Sequence, residues 1–120
     1  MTSCTVFVVE DDVDTRDMLG RFLELEGYHV ELASNGKQAL ERLNAGVHPC
    51  VILLDLMMPI MDGWQFRRQQ VQDRDLAEIP VIVVSAAGKE RIAEIDANAY
   101  LSKPVDLEKL LERVTQYCSH

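Results

Sequence analysis

Val51-Ile52-Leu53-Leu54-Asp55-Leu56-Met57-Met58-Pro59 is the stretch that decides the fold. Four apolar residues run without a polar break between Pro49 and Pro59, the pattern of a strand buried on both faces of a parallel sheet. Asp55 closes the run. A carboxylate at the C-terminal end of such a strand lies on the edge where open α/β sheets hold their ligands. It is tolerated there only if it is paired, metal-bound or chemically used. Read alone, Asp55 is equally compatible with an aspartate that merely caps the next turn.

Outward from this strand, apolar runs alternate with amphipathic ones. Thr5 to Val9 is β-branched and aromatic and predicts a first strand. Asp14 is the expected N-cap of a helix burying Met18, Leu19, Phe22, Leu23 and Leu25, which Gly27 ends. Tyr28 to Ala33 predicts an edge strand. Ser34-Asn35-Gly36 turns the chain into a helix with Ala39, Leu40 and Leu43 inward, ending near Gly46. After Asp62-Gly63 a third helix carries Trp64, Phe66 and Val71. Pro80 to Val84 predicts a fourth strand, residues 89–95 a short fourth helix, and Ala99 to Ser102 a fifth strand. Leu107, Leu110, Leu111 and Val114 form the stripe of a last helix, started by Pro104 and capped by Asp106. Five strands alternating with five helices predict an α/β fold, a doubly wound parallel sheet with helices on both faces. With no linker, repeat or low-complexity segment, residues 1–120 are expected to form one domain without a second, output domain.

The net charge of -8 argues against unspecific nucleic-acid or anionic-membrane binding and admits a bound cation or a cationic partner. No apolar run approaches the length that spans a bilayer, and Met1-Thr2-Ser3-Cys4 does not open a signal peptide, so a cytoplasmic location is expected. Cys4, Cys50 and Cys118 are odd in number, far apart and without metal-like spacing. They are expected to be reduced thiols, Cys4 and Cys50 packing as small apolar residues beside strands. His29, His48 and His120 are scattered and are assigned no role.

The strand ends carry the chemistry. The first ends in Glu10-Asp11-Asp12, the third in Asp55, the fourth in Ser85 and the fifth in Ser102-Lys103-Pro104. A parallel sheet places all of these ends on one edge. Clustered carboxylates raise one another's pKa, a cost that a divalent cation removes. Oxygen ligands with room for water suit magnesium. A carboxylate beside magnesium can act as a nucleophile toward a phosphoryl group. Lys103 would pair with the added charge and Ser85 would hydrogen-bond to it. Ala86, Ala87 and Gly88 leave room for the donor.

These motifs, in this order and over nearly the whole chain, resemble the receiver domain of two-component response regulators. They are Val8-Val9-Glu10-Asp11-Asp12, Leu53-Leu54-Asp55-Leu56-Met57-Met58-Pro59 with Asp62-Gly63, Val84-Ser85-Ala86 and Tyr100-Leu101-Ser102-Lys103-Pro104. The resemblance implies a flavodoxin-like five-stranded sheet of order 2-1-3-4-5. It also implies Asp55 as phosphoacceptor, Asp11 as a magnesium ligand, Glu10 as a ligand directly or through water, and the Met57 backbone carbonyl as a further ligand. Asp12 is the third acid of the run, a candidate for the metal or for orienting the following loop. Ser85 is implied as switch hydroxyl, Tyr100 as switch aromatic and Lys103 as phosphoryl contact, with a cis Lys103-Pro104 bond. The implied partners are a sensor histidine kinase or a histidine phosphotransfer protein as donor, and a protein target downstream.

Two departures from the family pattern stand out. The segment from Ser85 to Lys103 is about one helical turn short, and the loss falls in the fourth helix and the loop before Tyr100, where Asp96 stands in place of the family's usual glycine. That counts against a partner or homodimer mode using a full-length fourth helix with the fifth strand and fifth helix. Met57 and Ala87, two residues beyond Asp55 and Ser85, cannot orient an attacking water, so slow self-dephosphorylation is expected. An interaction module that keeps the fold without phosphorylation is the alternative, and the filled key positions weigh against it. An aspartyl-phosphate hydrolase is disfavoured because such enzymes place a second aspartate where Met57 stands. The chain is therefore expected not to be an enzyme.

Overall fold

The computed structural model describes residues 4–118. His120, for which no role is expected, lies outside them. Ten elements alternate: β1 (Thr5–Val9), α1 (Val13–Leu25), β2 (His29–Ala33), α2 (Gly36–Asn44), β3 (Val51–Leu54), α3 (Gly63–Gln72), β4 (Val81–Ser85), α4 (Lys89–Ile92), β5 (Ala99–Ser102) and α5 (Leu107–Cys118). The strands form one sheet of order β2-β1-β3-β4-β5, every pair parallel. This is the doubly wound, flavodoxin-like arrangement expected from the sequence, with a fourth helix of only four residues.

Side chains alternate across the sheet because a strand has a period of two. Phe7, Val9, Ile52, Leu54, Val81 and Val83 therefore pack on one face, against Ala39, Leu43, Trp64 and Phe66. Val6, Val8, Val51, Leu53, Ile82 and Val84 pack on the other, against Leu19, Leu23, Leu110 and Val114. All residues of β3 and β4 are buried, as strands covered on both faces must be. Each fully buried aliphatic side chain contributes about 1.5–3 kcal/mol.

Three local expectations need correction. The N-cap of α1 is Asp12, not Asp14, so the helix begins two residues earlier than predicted. Its buried positions are Leu19, Gly20 and Leu23, whereas Met18 and Leu25 are exposed. Leu25 lies two residues past Leu23, about 200° around the helix, and turns to the opposite side. In α3 the inward residue is Gln70, not Val71. A buried amide is acceptable there because Nε2 donates to the Leu76 and Ile79 carbonyls at 2.9 and 3.0 Å, while Oε1 accepts from Arg67.

The third correction concerns the cysteines. They are not three isolated thiols: Cys4 Sγ is in contact with Cys50 Sγ and with Cys118 Sγ. Cys4 and Cys50 immediately precede the neighbouring parallel strands β1 and β3, and α5 returns Cys118 to the same edge. Spacing along the chain carries no trace of this.

Candidate functional site

The C-terminal edge of the sheet gathers the predicted residues. Backbone pairing puts them there. Glu10 N–H donates to the Ala33 carbonyl, Asp55 N–H to the Val9 carbonyl, and Lys103 N–H to the Ser85 carbonyl, each at 3.0 Å. Glu10, Asp55 and Ser85 are buried, at 2%, 4% and 0% exposure. Glu10, Asp11 and Asp55 each present a carboxylate oxygen to a common point, these atoms lying within 4.8 Å of one another. Asp11 is the exposed member.

Lys103 supplies the compensating charge. Its Nζ donates to Glu10 Oε1 at 2.7 Å and stands 3.6 Å from Asp55 Oδ1. Lys103 thus binds Glu10 more closely than Asp55. The second Glu10 oxygen accepts from the Asp12 N–H at 3.1 Å. Burial first, and the adjacent Glu10 charge second, push the Asp55 carboxyl up to about 7 against the pull of Lys103. Burial draws the Lys103 ammonium down, but the hydrogen bond to Glu10 and the Asp55 and Glu10 charges outweigh it, and its pKa lies above the ordinary value.

Asp12 stands apart from this cluster. Its carboxylate accepts from the Thr15 N–H at 2.9 Å and the Thr15 hydroxyl at 2.6 Å. The Thr15 hydroxyl, then the backbone N–H, hold the Asp12 carboxyl below the usual range. Asp12 is thus the N-cap of α1 and shapes the loop leading into it. Ser85 Oγ accepts from the Ala87 N–H at 3.0 Å, a local turn within the β4–α4 loop. Tyr100 is half exposed, and its hydroxyl donates to the Ile95 carbonyl at 2.8 Å and accepts from the Ala97 N–H at 2.9 Å. The Lys103-Pro104 bond is cis.

Several contributors escaped the sequence reading. Arg16 Nη1 donates to the Glu10 carbonyl at 3.2 Å. Ile60, in the β3–α3 loop, is a β-branched residue at φ 72°, a costly left-handed conformation. Trp64 Nε1 donates to the Arg91 carbonyl at 3.0 Å, and the Arg91 guanidinium stacks on the Trp64 ring at 4.3 Å. These contacts pin α4 to α3.

Gly63 has a specific duty. A Cβ there would lie 2.6 Å from the Asp55 carbonyl oxygen and 2.8 Å from Leu56 Cα. The glycine lets the start of α3 close against the strand end that carries Asp55, where its N–H donates to the Leu56 carbonyl at 2.9 Å. We predict that Gly63→Ala lowers stability by about 1–3 kcal/mol, the usual cost of overpacking. Denaturant titration checks this, and an unchanged midpoint would contradict the close approach.

The acidic cluster fits a hard divalent cation: three carboxylates converge, and burial first and the Glu10 charge second already hold the Asp55 carboxyl above its usual range. No helix among the described residues is long and apolar enough to cross a membrane.

Comparison with known proteins agrees with this geometry. The response regulator MprA of Mycolicibacterium vanbaalenii is 42% identical over 113 residues, covering 91% of this chain and 48% of the relative. The response regulator MprA of Mycobacterium ulcerans is 42% identical over 116 residues. The chain spans about half the length of these curated relatives. A response regulator receiver protein from Pseudomonas putida superposes with a TM-score of 0.90 at 28% identity, covering 97% of this chain and 98% of the other. A response regulator described as putative, from Chloroflexus aurantiacus, gives a TM-score of 0.89 at 28% identity, covering 99% of this chain and all of its own. The family model for the response regulator receiver domain matches residues 6–115. With Glu10, Asp11 and Asp55 gathered at the sheet edge as a phosphorylation site requires, the chain belongs to the receiver domain family of two-component response regulators, phosphoacceptors rather than catalytic enzymes.

Proposed function

We propose that the chain is a phosphorylation-controlled signalling switch in which Asp55 accepts a phosphoryl group from a phosphohistidine of a sensor kinase or histidine phosphotransfer protein. The observation that carries this reading is the buried Asp55 carboxylate, flanked by Glu10 and Asp11 and standing 3.6 Å from Lys103 Nζ. In the transfer, an Asp55 oxygen forms the new P–O bond while the P–N bond to the donor imidazole breaks. Glu10 (directly or through water), Asp11, Asp55 and the Met57 carbonyl would hold magnesium. When bound, magnesium supplies neutralising charge to the carboxylates and the transferring phosphoryl oxygens.

The remaining steps belong to the chain's own side chains. Lys103 exchanges part of its bond with Glu10 for the phosphoryl dianion, because a doubly charged acceptor outcompetes a single carboxylate. The Ser85 hydroxyl leaves its bond to the Ala87 N–H and turns to a phosphoryl oxygen. Tyr100 then reorients from the Ile95 and Ala97 backbone, releasing the α4–β5 connection. The result is a shift toward an active population.

The output is contact with a protein target from the cytoplasm, with no direct nucleic-acid or membrane binding by this domain. Next to the moving Tyr100 lies an open cleft between β5 and α5, bordered by Lys103, Lys109, Glu112 and Arg113. The four-residue α4 weighs against a homodimer that relies on a longer helix. The test is treatment with a small-molecule phosphodonor and magnesium. One alkali-labile, hydroxylamine-sensitive phosphoryl group per chain is expected on the peptide containing Asp55. No mass gain, or a gain on a different peptide, would overturn the proposal and favour a phosphorylation-independent interaction module.

The pocket rim sets the lifetime of the product. The Met57 side chain is half exposed beside Asp55 and offers no hydrogen bond to a water; Ala87 offers none either. We predict that Met57→Asn shortens the acyl-phosphate lifetime on the order of tenfold by orienting the attacking water. Decay of the phosphorylated species after donor removal measures this, and equal lifetimes would refute it.

A further inference from the structure

We propose that Cys4, Cys50 and Cys118 form a binding site for a thiophilic metal ion, zinc(II) or copper(I), at the edge of the sheet opposite Asp55. Their three sulfurs converge, all within 4.8 Å of one another, although the residues are 46 and 114 positions from Cys4 along the chain. The placement is structural. The Cys4 carbonyl accepts from the His29 N–H at 3.0 Å, and the Cys50 N–H donates to the Thr5 carbonyl at 2.8 Å. Both residues are thus fixed to the sheet just before β1 and β3. Cys118 closes α5, whose last turns are held by Tyr117 Oη donating to the Asn98 carbonyl at 3.2 Å and by the Tyr28–Thr115 hydroxyl contact at 3.0 Å.

Valence separates the two uses such a cluster could have. The Cα separations of 6.0 Å from Cys4 to Cys50 and 5.9 Å from Cys4 to Cys118 suit either pair to a disulfide. Cys4 can join only one of them, and the third sulfur is then left without a partner. One soft cation engages all three as thiolates and releases three protons on binding. Among the described residues no histidine or carboxylate joins the group, so zinc would complete its four ligands with solvent, whereas copper(I) is satisfied by three sulfurs. All three cysteines are partly exposed, so an ion can enter and a solvent ligand can stay. Asp55 lies five positions beyond Cys50, about 16 Å of extended chain, so the site is distinct from the acidic cluster.

The test uses the full chain, reduced and freed of small thiols under anaerobic conditions. It is titrated with zinc(II), and separately with copper(I), each against a chromophoric competitor. At least one arm should give one ion per chain, with three sulfurs in its X-ray absorption shell and a raised Tm. Cys50→Ser and Cys118→Ser should each weaken binding on the order of a hundredfold. Asp55→Asn should leave it unchanged, which separates this site from the acidic cluster. The proposal is overturned if neither metal binds stoichiometrically, or if both serine variants, folded by circular dichroism, bind as the parent does. It is equally overturned if the chain forms one disulfide and one free thiol in air while its reduced form takes up neither ion.

Discussion

The Asp55→Asn protein is expected to take up no phosphoryl group and, when stripped of divalent cations, to be more stable than the parent at pH 8 by about 2–4 kcal/mol. Both effects come from one carboxylate. Burial and the Glu10 charge raise its pKa from 3.8 to about 7 in the folded chain. Below pH 4 the group is protonated in the folded and unfolded chains alike, and it does not affect the balance. Between pH 4 and 7 the folded chain holds the proton more tightly, so its stability falls as pH rises. Above pH 7 the whole penalty is present. Asparagine has no charge to desolvate and keeps the shape of the side chain. The gap between the two proteins should therefore open from pH 4 to pH 7 and then level off, and saturating magnesium should narrow it by stabilising only the parent. Urea titrations at pH 4.5 and 8, with and without magnesium, measure it. A parent that is the more stable of the two at pH 8 without metal would contradict the account.

How legible this was in the sequence depended on the range of the interaction. The five strands followed from apolar runs alternating with helical stripes, because β3 and β4 are buried on both faces and tolerate no polar break, whereas their order followed only from the family resemblance. The residues gathered at the edge were legible for the same reason: in a parallel sheet every strand end falls on one side, so Glu10, Asp55, Ser85 and Lys103 meet whatever their spacing.

Features set by side-chain competition were not legible. Asp12 and Asp14 are equally good caps as residue types, and only the path of the chain out of β1 selects Asp12. Gln70 reads as a surface residue until the Leu76 and Ile79 carbonyls arrive to satisfy it. The cysteines were misread because a local spacing rule was applied to a site assembled from both ends and the middle of the chain. Lys103 was read as a phosphoryl contact, which left open what it holds beforehand. The structure answers with Glu10 at 2.7 Å.

That answer makes Lys103→Met the most informative variant for the switch itself. Lys103 is the cation that faces Glu10 and Asp55, both almost fully buried, while its own side chain is about a quarter exposed. Removing one partner of a buried pair costs about 3–5 kcal/mol. Solvent around Nζ, and proton uptake by Asp55, reduce that here to about 2 kcal/mol at pH 8 without metal. The pH dependence has two limbs. The pKa of Lys103 is raised above its ordinary 10.5, so the stability it contributes is complete below that value and disappears as pH climbs past the raised one. Toward acid, protonation of Asp55 below about pH 7 removes part of the charge that Lys103 compensates. The deficit of the variant should therefore be largest between pH 8 and 10. A deficit independent of pH would point instead to lost packing of the lysine stem. The functional consequence is sharper. Trp64, the single tryptophan, bonds the Arg91 carbonyl of α4, and Tyr100 bonds the Ile95 carbonyl just beyond it. Rearrangement of that segment should change Trp64 fluorescence when the parent is phosphorylated. Lys103 follows β5 and bonds the Ser85 carbonyl through its own N–H, so in the proposed switch its shift from Glu10 to the phosphoryl group would couple Asp55 to Ser85 and Tyr100. Methionine keeps that backbone bond but cannot follow the charge. Phosphorylated Lys103→Met should carry its phosphoryl group with the Trp64 emission of the unmodified chain; a parent-like change in emission would show that the signal bypasses Lys103.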